Sequence, residues 1–150
     1  MLDQIHTVLG FDFGTKKTGV ATGQRITATA APLAPIAMRD GIPDWQIIER
    51  LLNQWQPHAV LVGLPLNMDD SESDICHLAR KFARRIEGRF KVKVLMVDER
   101  LTSRAARELL IEIGDRRKGK LPSLDSTAAV LMVEGWLAQP DSGLDRKSVV

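Results

Sequence analysis

The chain reads as an α/β protein built on one mixed central sheet, with three antiparallel strands at the N-terminus and helices on its flanks. Three short apolar or β-branched segments come first, separated by turn-forming residues. From Asp44 onward, runs with helical period alternate with continuous apolar runs. Hairpins followed by helix–strand alternation give an α/β layer whose sheet is mixed. No segment repeats another, and 150 residues suffice for one domain with its own core.

Taken in order, Thr7 to Phe13 is an apolar run broken by Asp12 and followed by a Gly14-Thr15 turn. Thr18 to Thr22 and Ile26 to Ala31 supply small and β-branched residues with Gly23 between them, the spacing of hairpins. Pro32 and Pro35 restrain the exit from the third strand, because each fixes φ and removes a donor. Trp45, Ile48, Leu52 and Trp55 then recur at steps of three and four, an amphipathic helix that Pro57 closes. Ala59 to Leu64 suits a buried strand.

Ser71 with Asp74 resembles a capping box. The helix it opens carries Ile75, Leu78, Ala79, Phe82 and Ile86 on one face, with Arg80, Lys81, Arg84 and Arg85 elsewhere. Val92 to Val97 is the next strand. Thr102 is placed to cap a helix with Leu109, Leu110 and Ile113, which Gly114 ends. A basic loop and a last helix from about Ser123 to Leu137 follow. Residues 1–138 are expected to be the folded domain, and the polar stretch 139–150 a disordered tail.

The bulk composition excludes several classes. No apolar run approaches membrane-spanning length. The N-terminus lacks the basic and apolar regions of a secretory signal. The single Cys76 cannot form an internal disulfide and fits a buried or half-buried, inert thiol in a reducing cytoplasm. A net charge of +2 neither requires nor forbids a nucleic-acid partner, since distribution decides.

Three acids in separate segments carry the chemistry. Asp12 interrupts an apolar strand between Phe11 and Phe13, and a buried aspartate must be paired, hydrogen-bonded or metal-bound. Its plainer role would be to cap the turn that follows. Asp98 and Glu99 end the Val92–Val97 run, and alternation sends them to opposite faces without saying which faces a site. Asp125, in Ser123-Leu124-Asp125-Ser126, has the position of an N-cap or first-turn residue. Carboxylates gathered from distant segments repel unless cations lie between them, and oxygen-rich clusters select Mg²⁺ or Mn²⁺. Such a cluster suits metal-assisted attack on a phosphorylated substrate.

Gly10-Phe11-Asp12-Phe13-Gly14-Thr15-Lys16-Lys17-Thr18-Gly19, Val62-Gly63-Leu64-Pro65-Leu66-Asn67-Met68-Asp69 and Asp98-Glu99-Arg100-Leu101-Thr102-Ser103 together resemble the YqgF/RuvX family. These are Holliday-junction-resolvase-like proteins also described as pre-16S rRNA nucleases. The resemblance runs from about residue 7 to about residue 138, and three motifs in order are far more specific than one. Asp70 stands where that family usually has glycine. The resemblance implies a ribonuclease H-like fold over 1–138, with Asp12, Glu99 and Asp125 as catalytic and metal ligands. It implies hydrolysis of phosphodiester bonds with one or two Mg²⁺ or Mn²⁺ ions, one activating water and the other stabilising the leaving oxygen. The implied task is 5′-end maturation of precursor 16S rRNA on ribosomal precursor particles, with junction DNA as the alternative substrate.

Cations surround these acids in sequence. Lys16 and Lys17 follow Asp12, Arg100 and Arg104 flank Glu99, and Arg116, Arg117, Lys118 and Lys120 precede Asp125. Each is expected to meet backbone phosphate, against the plainer fates of hairpin tip, local ion pair and solvated loop. Gly14, Thr15, Gly63 and Asn67 are expected to shape or orient the loops at the site. His6, His58 and His77 share no metal-binding spacing.

Two rivals stand beside the nuclease. Asp-Phe-Gly-Thr also resembles the first phosphate motif of the sugar kinase and actin superfamily, which closes two domains around ATP where this chain has one. A catalytically silent RNA-binding assembly factor is the other, although the shortage of aromatic residues disfavours base stacking.

Overall fold

The computed structural model describes residues 6–65, 69, 71–99 and 124–138. The elements are β1 (Thr7–Asp12), β2 (Lys17–Gln24), β3 (Thr29–Arg39), β4 (Ile42–Pro43), α1 (Trp45–Trp55), β5 (Ala59–Leu64), α2 (Asp74–Phe90), β6 (Val94–Asp98) and α3 (Leu124–Ala138). The sheet order is β4-β3-β2-β1-β5-β6. β1 pairs antiparallel with β2 and parallel with β5, so the sheet changes character at its own first strand. β5 and β6 are parallel, while β2–β3 and β3–β4 are antiparallel.

Alternation along β1 divides the core. Leu9 and Phe11 pack with Ile48, Phe82 and Ile86 of α1 and α2, whereas Val8 packs with Val133, Trp136 and Leu137 of α3. β5 is buried throughout because both of its faces are covered. Phe82 lies 5.6 Å from Phe11 edge-on, 5.3 Å from Phe13 and 6.3 Å from Trp45. This aromatic group fixes the two residues that flank Asp12. On the other face α3 comes close because Gly10 and Gly23 lack side chains where Val133 now sits.

α1 follows its period: Ile48 and Leu52 are buried, and the Asp44 carboxylate accepts the Gln46 N–H at 3.0 Å as N-cap. Several local expectations are corrected. β3 does not stop at Ala31 but continues through Pro32 and Pro35 to Arg39. Between Leu33↔Val20 and Ile36↔Thr18 it advances three residues against two, so Pro35 falls in a bulge, where a missing donor is tolerated. Ile26 lies in the β2–β3 turn and is 88% exposed, and Gly23 is a strand residue under α3 rather than the turn itself.

α2 has Ser73 as N-cap with no side-chain cap bond, so the Ser71–Asp74 capping box does not form; Ser71 bonds to Asp69 instead. Arg80, expected on the polar side, is 7% exposed and paired with Glu72. β6 spans Val94–Asp98, two residues later at its start than expected. Cys76 is buried as anticipated, its thiol donating to Pro65 O at 3.3 Å. No described helix is long and apolar enough to cross a membrane. The expected helix beyond Thr102, the basic loop, Asp70 and the tail 139–150 lie outside the described residues.

Candidate nuclease site

Asp12 is the last residue of β1, half-buried, at the end of the sheet where β5 and β6 also finish. It shares parity with Val8 and Gly10, both in contact with α3, so its carboxylate belongs to the α3 face. Its partner on β2 is Gly19. On the other side the ladder runs to Phe11↔Val62, so the next step sets Gly63 beside Asp12. Neither lateral neighbour has a side chain, which leaves the carboxylate room to accept a ligand.

Glu99 fills part of that room. Val97 and Leu95 of β6 face α3, Met96 faces the other core, and Asp98 follows Met96 in parity. Glu99 follows Val97, and its carboxyl lies over Gly63: a Cβ on Gly63 would collide with Glu99 Oε1 and Met132 Sδ. Since Gly63 stands in β5 between Val97 and Asp12, the second acid leans across β5 toward the first. The strand's facing therefore sets Glu99 on the α3 face with Asp12, and Asp98 on the other. Gly63, expected to shape a loop, is a buried strand residue whose absent side chain seats this carboxyl.

α3 supplies the third segment. Ser126 is fully buried; its hydroxyl donates to Leu33 O at 2.6 Å and accepts the Val20 N–H at 3.4 Å. Both partners lie beside the β3 bulge, and Val20 pairs with Phe11, one step from Asp12. The first turn of α3 is thus pinned over β2 at the level of Asp12. Asp125 is the second residue of that helix, and its side chain lies outside the described part of the structure. Among the described residues no three His, Cys, Asp or Glu side chains form a metal-holding group. Sequence reasoning misses Ser126 and Gly19. The one signal for Ser126 is the serine repeat in Ser123-Leu124-Asp125-Ser126, which reads equally well as helix capping.

The turn after Asp12 is tightly held. Gly14 N–H donates to Thr18 Oγ1 at 3.2 Å, and that hydroxyl donates back to Gly14 O at 3.4 Å. Thr15 O and Lys16 O accept from Gly41 N–H at 3.0 Å and Met38 N–H at 2.8 Å. The backbone is spent on β3 and the turn beyond it, while Lys16 and Lys17 stay exposed. On the far side of β5, Asp69 accepts from the Ser71 hydroxyl at 2.5 Å and its N–H at 3.0 Å, which holds its carboxyl below the ordinary aspartate range. Asn67, Arg100, Arg104, Arg116, Arg117, Lys118 and Lys120 lie outside the described residues.

With this geometry in place, comparison with known proteins is informative. A family model described as RuvX, Holliday junction resolvase, matches residues 6–139. This chain belongs to the YqgF/RuvX family. A RuvX relative from Histophilus somni, named "Putative pre-16S rRNA nuclease", is 55% identical over 130 residues, 87% of this chain and 92% of its own length. One of the same name from Klebsiella pneumoniae is 54% identical over 133 residues, covering 89% and 96%. Among solved structures, Thermus thermophilus RuvC in complex with a Holliday junction substrate superposes with a TM-score of 0.56 at 15% identity, over 93% of this chain and 98% of that one. The yeast mitochondrial Holliday junction resolvase Ydc2 gives 0.52 at 13% identity, over 87% and 77%. At such identities the likeness is one of fold, and this RuvX-family chain has the ribonuclease H-like fold expected of it.

Proposed function

We propose that this protein is a metal-dependent nuclease that hydrolyses phosphodiester bonds, with 5′-end maturation of precursor 16S rRNA in the cytoplasm as its task in ribosome biogenesis. What supports the reading is that Asp12 and Glu99 fall on one face of the sheet, on either side of Gly63, near the pinned first turn of the helix that carries Asp125. The names carried by relatives at 54–55% identity favour precursor rRNA over junction DNA as substrate.

The donor set fits a hard divalent cation. Asp12 and Glu99 offer anionic oxygens only, Gly19 and Gly63 leave space between the strands, and the Cys76 thiol at this end belongs to the core on the opposite face. Asp12, Glu99 and Asp125 would hold Mg²⁺ or Mn²⁺, which when bound supplies Lewis acidity and a more acidic water. Asp12, from the central strand, is rigid because Phe11 and Phe13 are both buried in the aromatic group around Phe82. Glu99 reaches in from the edge and sets the width of the site. Lys16, on the turn that follows Asp12, and Lys17, which opens β2, are exposed near the site and would hold the phosphate backbone there.

The test uses purified protein and a transcript spanning the 5′ end of 16S rRNA, alongside a four-way DNA junction. Cleavage of the transcript with Mg²⁺ or Mn²⁺, its loss in Asp12→Asn, and extended 16S 5′ ends in depleted cells are expected. Full activity of Asp12→Asn in chelator-treated protein would sink the assignment. Preferential cleavage of the junction would move the reading to the DNA substrate.

A further inference from the structure

α2 lies on the face of the sheet opposite α3, and nothing in the proposed chemistry uses its outer surface. Apart from Arg89, its exposed residues fall in a line, Asp74, His77, Lys81, Arg84 and Gly88, with Lys91 following at the C-cap, spaced three and four apart. Positions so spaced lie along one edge of a helix. From Lys81 to Lys91 that edge, about 15 Å long at the helical rise, carries cations and one glycine, with the half-buried acid Glu87 flanking it. Arg85 is half-buried beside it, and Arg89 is engaged 4.3 Å above the Trp45 ring. A run of charge is most often a solvated face, so the glycine decides.

Gly88 is helical and exposed, and a Cβ built on it meets no atom within 4 Å. Glycine is the poorest helix former after proline. Elsewhere in this chain helix α3 occupies the space that Gly10 and Gly23 leave. At Gly88 no such neighbour exists among the described residues. A missing side chain in a row of cations gives a polyanion's backbone a place to come against the helix, with Arg84 one turn before it and Lys91 one turn after.

We propose that the α2 edge formed by Lys81, Arg84, Gly88 and Lys91 is a second RNA-binding surface, seating the phosphate backbone of a substrate arm remote from the scissile bond. This rests on the nuclease reading for the identity of the polymer, not for its existence. Charge complementarity selects the occupant, because a line of separated cations matches the regular phosphates of one strand. α2 begins just past the loop that leaves β5 at the Asp12 end and runs toward the opposite end, so an arm leaving the site could follow it.

Two variants test this. Lys81→Glu/Arg84→Glu/Lys91→Glu reverses the charge, and Gly88→Leu fills the gap with a helix-favouring side chain. Binding is measured across a salt series on a long structured precursor transcript and on a short hairpin spanning only the cleavage site. The charge variant should lose at least tenfold affinity for the long transcript and flatten its log–log salt slope by about two to three units, at roughly 0.9 per duplex phosphate neutralised. Gly88→Leu should weaken long-transcript binding while melting no lower than the parent. Cleavage of the short hairpin should be unchanged in both. Unchanged long-transcript binding in both variants would overturn the proposal, and so would equal losses on long and short RNA. An acidic protein as true occupant belongs to the first of those outcomes. Because Asp12→Asn removes cleavage and leaves binding intact, failure of the nuclease reading and failure of this one appear in different measurements.

Discussion

Gly63 and Glu99 form a pair in which one residue lacks what the other needs. A methyl group at Gly63 meets the Glu99 carboxyl and Met132 Sδ together, so Gly63→Ala must displace both side chains and move the acid from its place over β5. We expect cleavage to fall by roughly 10- to 100-fold, the scale on which supports of metal ligands act. The measurement is single-turnover cleavage against Mg²⁺ concentration, and a parent-like metal titration would show that Glu99 does not need this seat. Glu99→Gln should abolish cleavage with the fold kept. Asp98→Asn, on the opposite face by parity, should stay within a few-fold of the parent in the same assay. The sequence offers both acids, and alternation alone does not say which one shares a face with Asp12, although the family resemblance picks Glu99. Two adjacent acids at a strand end are equivalent until Val97 and Met96 are seen to face different cores.

At the scale of elements, the least legible feature is the one that holds α3 in place. β3 runs through two prolines that the sequence marks as an exit, and its bulge can be recognised only from the register with β2. Ser126 then bonds two backbone groups at that bulge from 93 and 106 residues away, a link no local pattern encodes. Ser126→Ala should cost about 1–3 kcal/mol in denaturant unfolding, because Leu33 O and Val20 N–H are left buried without it. Activity at saturating metal should fall as well, since the turn bearing Asp125 loosens; an unchanged unfolding midpoint would show that water replaces the hydroxyl. α1 and the apolar face of α2 were readable because their burial follows period 3.6. Arg80 was not, because its burial depends on Glu72 in the preceding loop. Gly88→Ala should stabilise the free protein by roughly 0.5–1 kcal/mol, the ordinary helix penalty of glycine with no clash to offset it. A lower melting temperature would mean the position has a packing role in the fold.

For the whole molecule, the order of elements was sufficient to anticipate a mixed sheet, since hairpins pair antiparallel and helical crossovers return a parallel strand. The consequence is that β1 sits between the two regimes, and its last residue, Asp12, has a strand and a crossover entering from either side. Substrate recruitment has to reach that point. The sequence puts Arg116, Arg117, Lys118 and Lys120 a few residues before α3, whose start is pinned at the same level. Neutralising all four to glutamine should weaken binding of a short single-stranded substrate far more than it slows single-turnover cleavage at saturation. Every phosphate that a cation no longer neutralises should flatten the log–log salt slope by roughly 0.7, so four such phosphates give a change of about three units and two give about one and a half. Asp12→Asn measured beside it should keep the parent slope, because it removes a carboxylate and no cation. If the quadruple variant keeps both affinity and slope, the loop is a solvated bystander. Lys16, on the turn that Gly41 and Met38 hold in place, and Lys17, at the start of β2, would then carry the scissile strand, and the same slope measurement on Lys16→Gln/Lys17→Gln would show about one and a half units of change.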